Sequence, residues 1–306
     1  MSADVRGTAA ARSPGGAASA PGADAPGGGP RRRSRRPSVG ALVGWAAIGV
    51  LFVFFLLPVV YAVLTAFQPR LVTNSASPQW VFTPTLDNFR SLFGQYSFLG
   101  PLLNSVQTSL GSALVALVIA TPAAYALSRA GSSSANVLGF WLLSARALPA
   151  IGLAIPAYAI FSAADLNDTL IALVVVYLPY NVALATILLK VFLDVIPREI
   201  DEAAAIYGAG PLRTLWSVIL PIARPGAASV VIMTFLFGWN NFLFPLVLTG
   251  SRAGTIPLAL QQFLGSYTLQ WNQVMAGVVV LSLPLVLLAV VFGKYMIGGL
   301  SAGSVK

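Results

Sequence analysis

Six stretches of the chain are apolar almost without interruption: Val39 to Phe67, Leu102 to Leu127, Val137 to Phe161, Thr169 to Leu189, Ala227 to Leu248 and Val274 to Gly293. A spanning α-helix takes about 20 mostly apolar residues, whereas strands of an outer-membrane barrel would alternate over about ten. The unbroken runs predict an all-α, polytopic membrane protein with six transmembrane helices. Pro58, Pro122, Pro149, Pro156, Pro179 and Pro284 fall inside these runs, and Pro245 near the end of the fifth. An interior proline removes a backbone hydrogen bond and kinks the helix, which membrane bundles tolerate; ordinary kinking is favoured over a gating role.

Two segments break the pattern. Residues 1–38 are dominated by Ala, Gly, Pro and Ser and end in Arg31-Arg32-Arg33-Ser34-Arg35-Arg36. That composition cannot bury enough apolar surface to offset its ordering entropy, so it reads as a disordered basic tail. The apolar run behind it, about 29 residues, is too long for a cleaved signal core of about 7 to 15. A basic run beside a spanning segment is commonly a topology anchor, so a nucleic-acid site is the weaker reading. Residues 39–306 then form one six-helix membrane domain.

The second segment, about 190–225, is polar yet periodic. Pro197 stands at a helix start with Glu199, Asp201 and Glu202 in the first turns, where acids favour the positive end of the helix dipole. Ile200, Ala203, Ala204 and Tyr207 repeat at i, i+3, i+4 and i+7, one narrow stripe. Gly208, Ala209 and Gly210 end that helix. Pro211 starts a second one, with Leu212, Leu215, Trp216 and Ile219 at the same spacing, until Pro221 and Pro225 stop it. Two short helices joined by a glycine turn would form a knob against the membrane; a loop that merely packs on its own bundle would look the same.

Composition agrees with the pattern and removes other chemistries. Of 306 residues 57% are hydrophobic and 9% charged, with a mean hydropathy of +0.81, against about 25% charged in soluble domains. Without His or Cys there is no Ser-His-Asp or Cys-His catalysis, disulfide, iron-sulfur cluster or zinc thiolate. No phosphate loop or G-x-G-x-x-G is present, so any ATP must be bound by another chain.

The net charge of +9 is unevenly spread. With the N-terminus inside, fourteen of the eighteen Lys and Arg fall on inner segments, and Arg70, Arg90 and Arg252 on outer loops. The positive-inside rule then puts both termini in the cytoplasm. The eighteenth, Arg146, lies within the third span, roughly 14 Å along it. A charge at that depth costs at least about 2.5 to 3.5 kcal/mol, so it faces the bundle interior or a wet cavity, as a functional group or as an arginine that fixes helix packing. No acid lies within a span, which argues against a proton relay. Asn104, Gln107, Asn181, Asn240 and Asn241 could hydrogen-bond sugar hydroxyls, and Trp239, Tyr177 and Tyr180 could stack on a pyranose; such amides more often hold helices together. Gly40 and Gly44 match G-x-x-x-G, a pattern common by chance.

The run Glu202-Ala203-Ala204, three residues, Gly208, nine residues, Val218-Ile219-Leu220-Pro221 resembles the EAA loop of ABC importer permeases. Trp239-Asn240-Asn241-Phe242-Leu243-Phe244 and the end Gly299-Leu300-Ser301-Ala302-Gly303-Ser304-Val305-Lys306 are similar to the maltose-type carbohydrate importer subfamily. The resemblance covers roughly Val39 to Lys306. It departs at Tyr207, where that branch commonly has Asp, and at Asn241, where an acidic residue often follows Trp-Asn.

The resemblance implies a type I ABC importer permease fold in a bacterial cytoplasmic membrane, carrying a mono- or oligosaccharide by alternating access. The chain itself would be no enzyme and bind no cofactor or metal, with ATP and Mg held by partner ATPase subunits. It implies as partners a second six-helix permease, two ATP-binding subunits, an extracytoplasmic solute-binding protein and membrane lipid, and no nucleic acid. The binding protein would meet the first outer loop, about Gln68 to Pro101, and the segment Thr249 to Gln273. Carried over by position, Glu202, Ala203, Ala204, Tyr207, Gly208 and Pro221 couple to the ATPase, with Ser301, Gly303 and Lys306 as a second contact. Arg146, Asn181, Trp239, Asn240 and Asn241 are candidates for the translocation pathway. Glycerol 3-phosphate or a polyol is the alternative cargo. From other classes, a secondary transporter would show intramembrane relays or internal repeats, neither of which is seen, and a membrane scaffold would make the patterned loop accidental.

Overall fold

The computed structural model describes residues 39–73, 80–130, 132–265 and 270–301. The basic tail, Gly303 and Lys306 lie outside them. Every regular element among the described residues is helical: apart from the short turns Arg70–Thr73 and Gln261–Phe263, they are α1 (Val39–Ala66), α2 (Asp87–Gly94), α3 (Leu99–Arg129), α4 (Ser132–Arg146), α5 (Ala150–Ala163), α6 (Leu170–Asp194), α7 (Glu199–Ile206), α8 (Pro211–Ile222), α9 (Arg224–Trp239), α10 (Leu243–Leu248), α11 (Ile256–Leu260) and α12 (Trp271–Ser301). The chain divides between Val53 and Phe54 into two units. The described part of the first is the opening stretch of α1; all contacts below belong to the second.

Four helices are long and apolar enough to cross a membrane: α1 from Val43, α3, α6, and α12 as far as Val291. Counting each of two bent pairs, α4 with α5 and α8 with α9, as one span raises the number to six. Two runs that the sequence predicts as continuous spans, the third and the fifth, are interrupted. In the third, α4 and α5 meet at 80°. Pro149 sits in extended backbone at the start of α5 (φ −65°, ψ 126°), and a proline drives the residue before it out of helical conformation. The expected kink at this proline is a break, whereas Pro58, Pro122, Pro156, Pro179 and Pro284 lie inside continuous helices. The fifth run stops at Trp239 and resumes at Leu243.

Small residues set the closeness of the packing. The buried face of α3 reads Ser105, Thr108, Ser109, Ser112, Ala113, Ala116, Ala120, Thr121 and Ala124, and α6 and α9 lie along it. Small side chains let helix backbones approach where no hydrophobic drive separates protein from lipid. A Cβ on Gly238 of α9 would come within 3.1 Å of the Ser109 Cα. Thr108, Thr121, Thr186 and Thr234 each return their hydroxyls to the carbonyl four residues earlier, so these four are satisfied within their own helices.

The two ends of α6 are tied differently. At its start, Asp168 adopts a left-handed backbone (φ 57°), and its carboxylate accepts the backbone N–H groups of Gly250 (2.9 Å), Arg252 (3.1 Å) and Ala253 (2.9 Å). Asn104 of α3 grips the same segment, donating to the carbonyls of Arg252 and Gly254 at 2.9 Å. Thr169 caps α6 by accepting from Ala172 N–H, as a β-hydroxyl at that position commonly does. At the far end of α6, Leu189 and Leu193 join Ala120, Ala124, Leu215 and Ile219 in one buried cluster, which seats the segment 195–223.

Candidate functional site

The segment 195–223 folds as the periodicity predicts. The first helix begins at Glu199, two residues after Pro197, with all three acids in its first turn. It ends in a complete Schellman turn: Ala209 N–H donates to Ala204 O (3.0 Å) and Gly208 N–H to Ala205 O (2.9 Å), with Gly208 at φ +76°. Nothing lies within 4 Å of a Cβ placed on Gly208. Backbone handedness, not space, requires the glycine, and another residue there costs about 1–2 kcal/mol.

The second helix carries a π-helical turn, Leu215–Ile219, in which Leu220 N–H reaches back to Leu215 O. Proline at 221 has no N–H and crowds the carbonyl four residues earlier; the widened turn directly precedes it. Pro221 does not stop the helix, which runs to Ile222. Pro225 stands in the first turn of α9 and begins that helix, at 84° to α8.

The two apolar stripes behave differently. In α8, Leu215 and Ile219 are buried, while Leu212 is 66% and Trp216 42% exposed. In α7 no residue is buried. Ile200 packs against the cluster below, but Ala203 is open, and Ile206 and Tyr207 are 85% and 91% exposed. Glu202, Ala203, Tyr207 and Gly208 thus share an open surface with Ile206 and Leu212, with Ala204 partly covered.

What holds α7 is a group that periodicity does not reveal. Asp201 accepts from the Tyr125 hydroxyl through Oδ1, and its Oδ2 lies 3.0 Å from Nε and 2.8 Å from Nη2 of Arg129. The Arg129 and Asp201 side chains are 17% and 19% exposed. Arg129 also reaches Leu193 O at 3.3 Å and lies 5.6 Å from the Tyr125 ring centre. Arg198 donates to Ser128 O at 3.5 Å. The i, i+4 spacing of Tyr125 and Arg129 on one helix face was the available signal, but their partner is 72 residues further on.

The pathway candidates separate into spent and unspent polar groups. Trp239 is fully buried, its indole N–H donating to Leu281 O at 3.0 Å. Asn240 donates to Leu236 O (2.9 Å), and Asn241 Oδ1 accepts from Phe244 N–H (3.1 Å). The Trp-Asn-Asn run therefore ends one helix and caps the next. Tyr180 donates to Leu148 O and stacks on Phe237 at 5.4 Å. Arg146, the last residue before the α4–α5 break, lies 5.9 Å from the same ring, with one guanidinium nitrogen buried and unbonded. Asn181 donates to Ser112 Oγ (3.2 Å), its carbonyl oxygen unbonded, as is the Tyr177 hydroxyl. Gln107 is exposed. Ser301 ends α12. Among the described residues no cluster of three carboxylates is placed to hold a metal.

Residues 112–297 match the family described as binding-protein-dependent transport system inner membrane component. The chain is 31% identical over 262 residues to the probable ABC transporter permease protein y4oR of Sinorhizobium fredii, covering 86% of this chain and 93% of that one. It is 31% identical over 268 residues to the trehalose transport system permease protein SugB of Mycobacterium tuberculosis (86% and 97% covered). To the trehalose/maltose transport system permease protein MalG of Thermococcus litoralis it is 29% identical over 261 residues (84% and 94%). Among solved structures it shares a fold with a chain of a bacterial ABC transporter involved in the import of the acidic polysaccharide alginate, at TM-score 0.70 and 20% identity over 86% of this chain and 98% of that one.

Proposed function

Since the chain belongs to the binding-protein-dependent transport system inner membrane components, we propose that it is the permease subunit of a sugar importer and that α7 and α8 are the element by which a cytoplasmic ATPase drives it. The relatives named for trehalose and maltose support the sugar class. On this reading the chain crosses the bacterial cytoplasmic membrane six times, with α4–α5 and α9–α10 as interrupted spans and both termini inside. It pairs with a second permease, two ATP-binding subunits that hold ATP and Mg, and an extracytoplasmic solute-binding protein.

One observation carries the coupling role: a helix with no buried residue, seated on the bundle by its neighbour's Leu215 and Ile219 and ended by a strict left-handed turn. A solitary helix of eight residues gains little by standing in water. Such a surface makes sense when a partner covers it, and Glu202, Ala203, Ala204, Tyr207 and Gly208 are its small and polar centre. Pro221 shapes the turn beneath. Closure of the ATPase around ATP would displace this knob, and the packed cluster below would pass the movement to α3 and α6.

The pathway is less evenly supported. Arg146 and Asn181 keep unused hydrogen-bonding atoms and suit contact with a polar cargo, whereas Trp239, Asn240 and Asn241 serve by shaping the break between α9 and α10. A tail contact through Ser301, Gly303 and Lys306 is the secondary coupling site.

Glu202→Lys and Gly208→Leu test the coupling surface. Both variants are expected to insert normally, while the amount of ATP-binding subunit that co-purifies falls about tenfold, equivalent to about 1.4 kcal/mol of docking energy. Unchanged co-purification and unchanged vanadate-sensitive ATP hydrolysis in both would refute it.

A further inference from the structure

We propose that Asp201, Arg129 and Tyr125 form the joint through which the moving loop pulls on α3, making them positioning residues for energy transfer; this rests on the coupling role proposed above. The loop has two kinds of attachment. The apolar seat under α8, made by Leu215 and Ile219 against Ala120, Ala124, Leu189 and Leu193, resists compression but has no directional bond that resists sliding or lifting. The helix that presents the docking surface, α7, meets that seat through the partly buried Ile200 and has no fully buried residue. Its polar attachment to the bundle runs through Asp201.

That attachment is built to pull. The Asp201 carboxylate is gripped from both oxygens by two side chains one turn apart on α3, Tyr125 on Oδ1 and Arg129 on Oδ2, so both translation and rotation of α7 are felt by the end of α3. The ion pair is largely out of water, with side-chain exposures of 17% and 19%. Separating a desolvated pair strands both charges and is steeply unfavourable. Arg129 also holds Leu193 O at the end of α6, so one guanidinium joins three helices. Glu202, next to Asp201, points to the open face. The helix therefore meets its partner on one side and α3 on the other, which is the arrangement of a lever. A plain anchor would hold α7 equally in every state of the ATPase, whereas a joint matters most when the ATPase closes.

The experiment uses the full complex, with the second permease and the ATP-binding subunits, in lipid vesicles. The chain has no cysteine, so spin labels can be placed at Glu199→Cys on α7 and Val118→Cys on α3, both exposed positions. The interlabel distance is measured without nucleotide and after trapping with ADP and vanadate. With the joint intact, one narrow distance is expected in both states. In Arg129→Ala or Asp201→Ala, trapping should shift or split it by about 2 Å or more, and Arg129→Lys should restore most of the wild-type behaviour. Should the alanine variants not assemble, Tyr125→Phe, which loses one hydrogen bond, carries the same comparison with a smaller shift. A distance equally altered in both nucleotide states, or unaltered in both, would overturn the proposal. Failure of the unsubstituted complex to trap nucleotide at all would instead remove the coupling role itself, and this inference with it.

Discussion

Two aspartates at opposite ends of α6 do the same job by different chemistry. Asp168 holds the segment 250–253 through backbone N–H groups, and Asp201 is held by the side chains of Arg129 and Tyr125. Backbone donors have no rotamers, so the first tie fixes a loop in one shape. Side-chain donors travel with the helix that carries them, so the second can stay closed while α7 and α3 move together. The difference teaches that the bundle is clamped by backbone at one end and tied by side chains, the proposed joint, at the other. It fits the proposed division between a face that keeps its form for a binding protein and a face that follows an ATPase.

The comparison breaks most visibly at Asp168. Replacing it with alanine removes the acceptor of three amide donors, that of the buried Ala253 among them, and should destabilise the protein by about 1–3 kcal/mol, read as a lower midpoint in detergent melts and as faster hydrogen exchange confined to residues 249–256. If exchange there were unchanged, the amide clamp would not be what fixes the loop. A smaller effect comes from acid. Desolvation raises the Asp168 carboxyl pKa, but the N–H donors of Ala253, Gly250 and Arg252 and the Arg252 side chain outweigh it and hold it below its ordinary 3.8. The stabilisation is therefore complete above that value and is lost as pH falls through the lower folded value. Melts of the native chain should drop below about pH 4, and those of Asp168→Asn should lack this component.

Smallest of all is the change expected for Arg252→Ala. The guanidinium is 78% exposed and lies 3.4 Å from Asp168, so its loss should cost no more than about 0.5 kcal/mol. A melt shifted as far as that of Asp168→Ala would mean that the clamp is ionic after all, and the contrast between the two ends would vanish.

Both aspartates escaped the sequence, for a common reason. Asp168 meets residues more than eighty positions away, and Asp201 meets a helix that ended seventy positions earlier; neither separation leaves a periodic trace. What was legible was local. The acids of α7, the glycine of its end and the spacing of α8 all follow from helix geometry, so that loop emerged nearly whole. The apolar runs gave the spans but not their interruptions, since hydropathy does not register that Pro149 turns a kink into a break or that Asn241 caps a new helix. Apolar spacing tells which residues of α7 share a face and not what covers it: Ile200 meets the bundle and Tyr207 stays open.

The face of α3 that touches α6 and α9 has a consequence for how such a chain drifts over generations. At Ser109 and Gly238 the two backbones are already at contact distance, so atoms can be removed far more easily than added. Serine can become alanine or glycine there at modest cost, while a methyl group on Gly238 would press on the Ser109 backbone at 3.1 Å and force a local shift of a few tenths of an ångström. At this contact the geometry favours substitution toward smaller side chains. Hydroxyls that only return to their own helix, such as that of Thr121, can be lost without stranding a partner, leaving size as the property under selection.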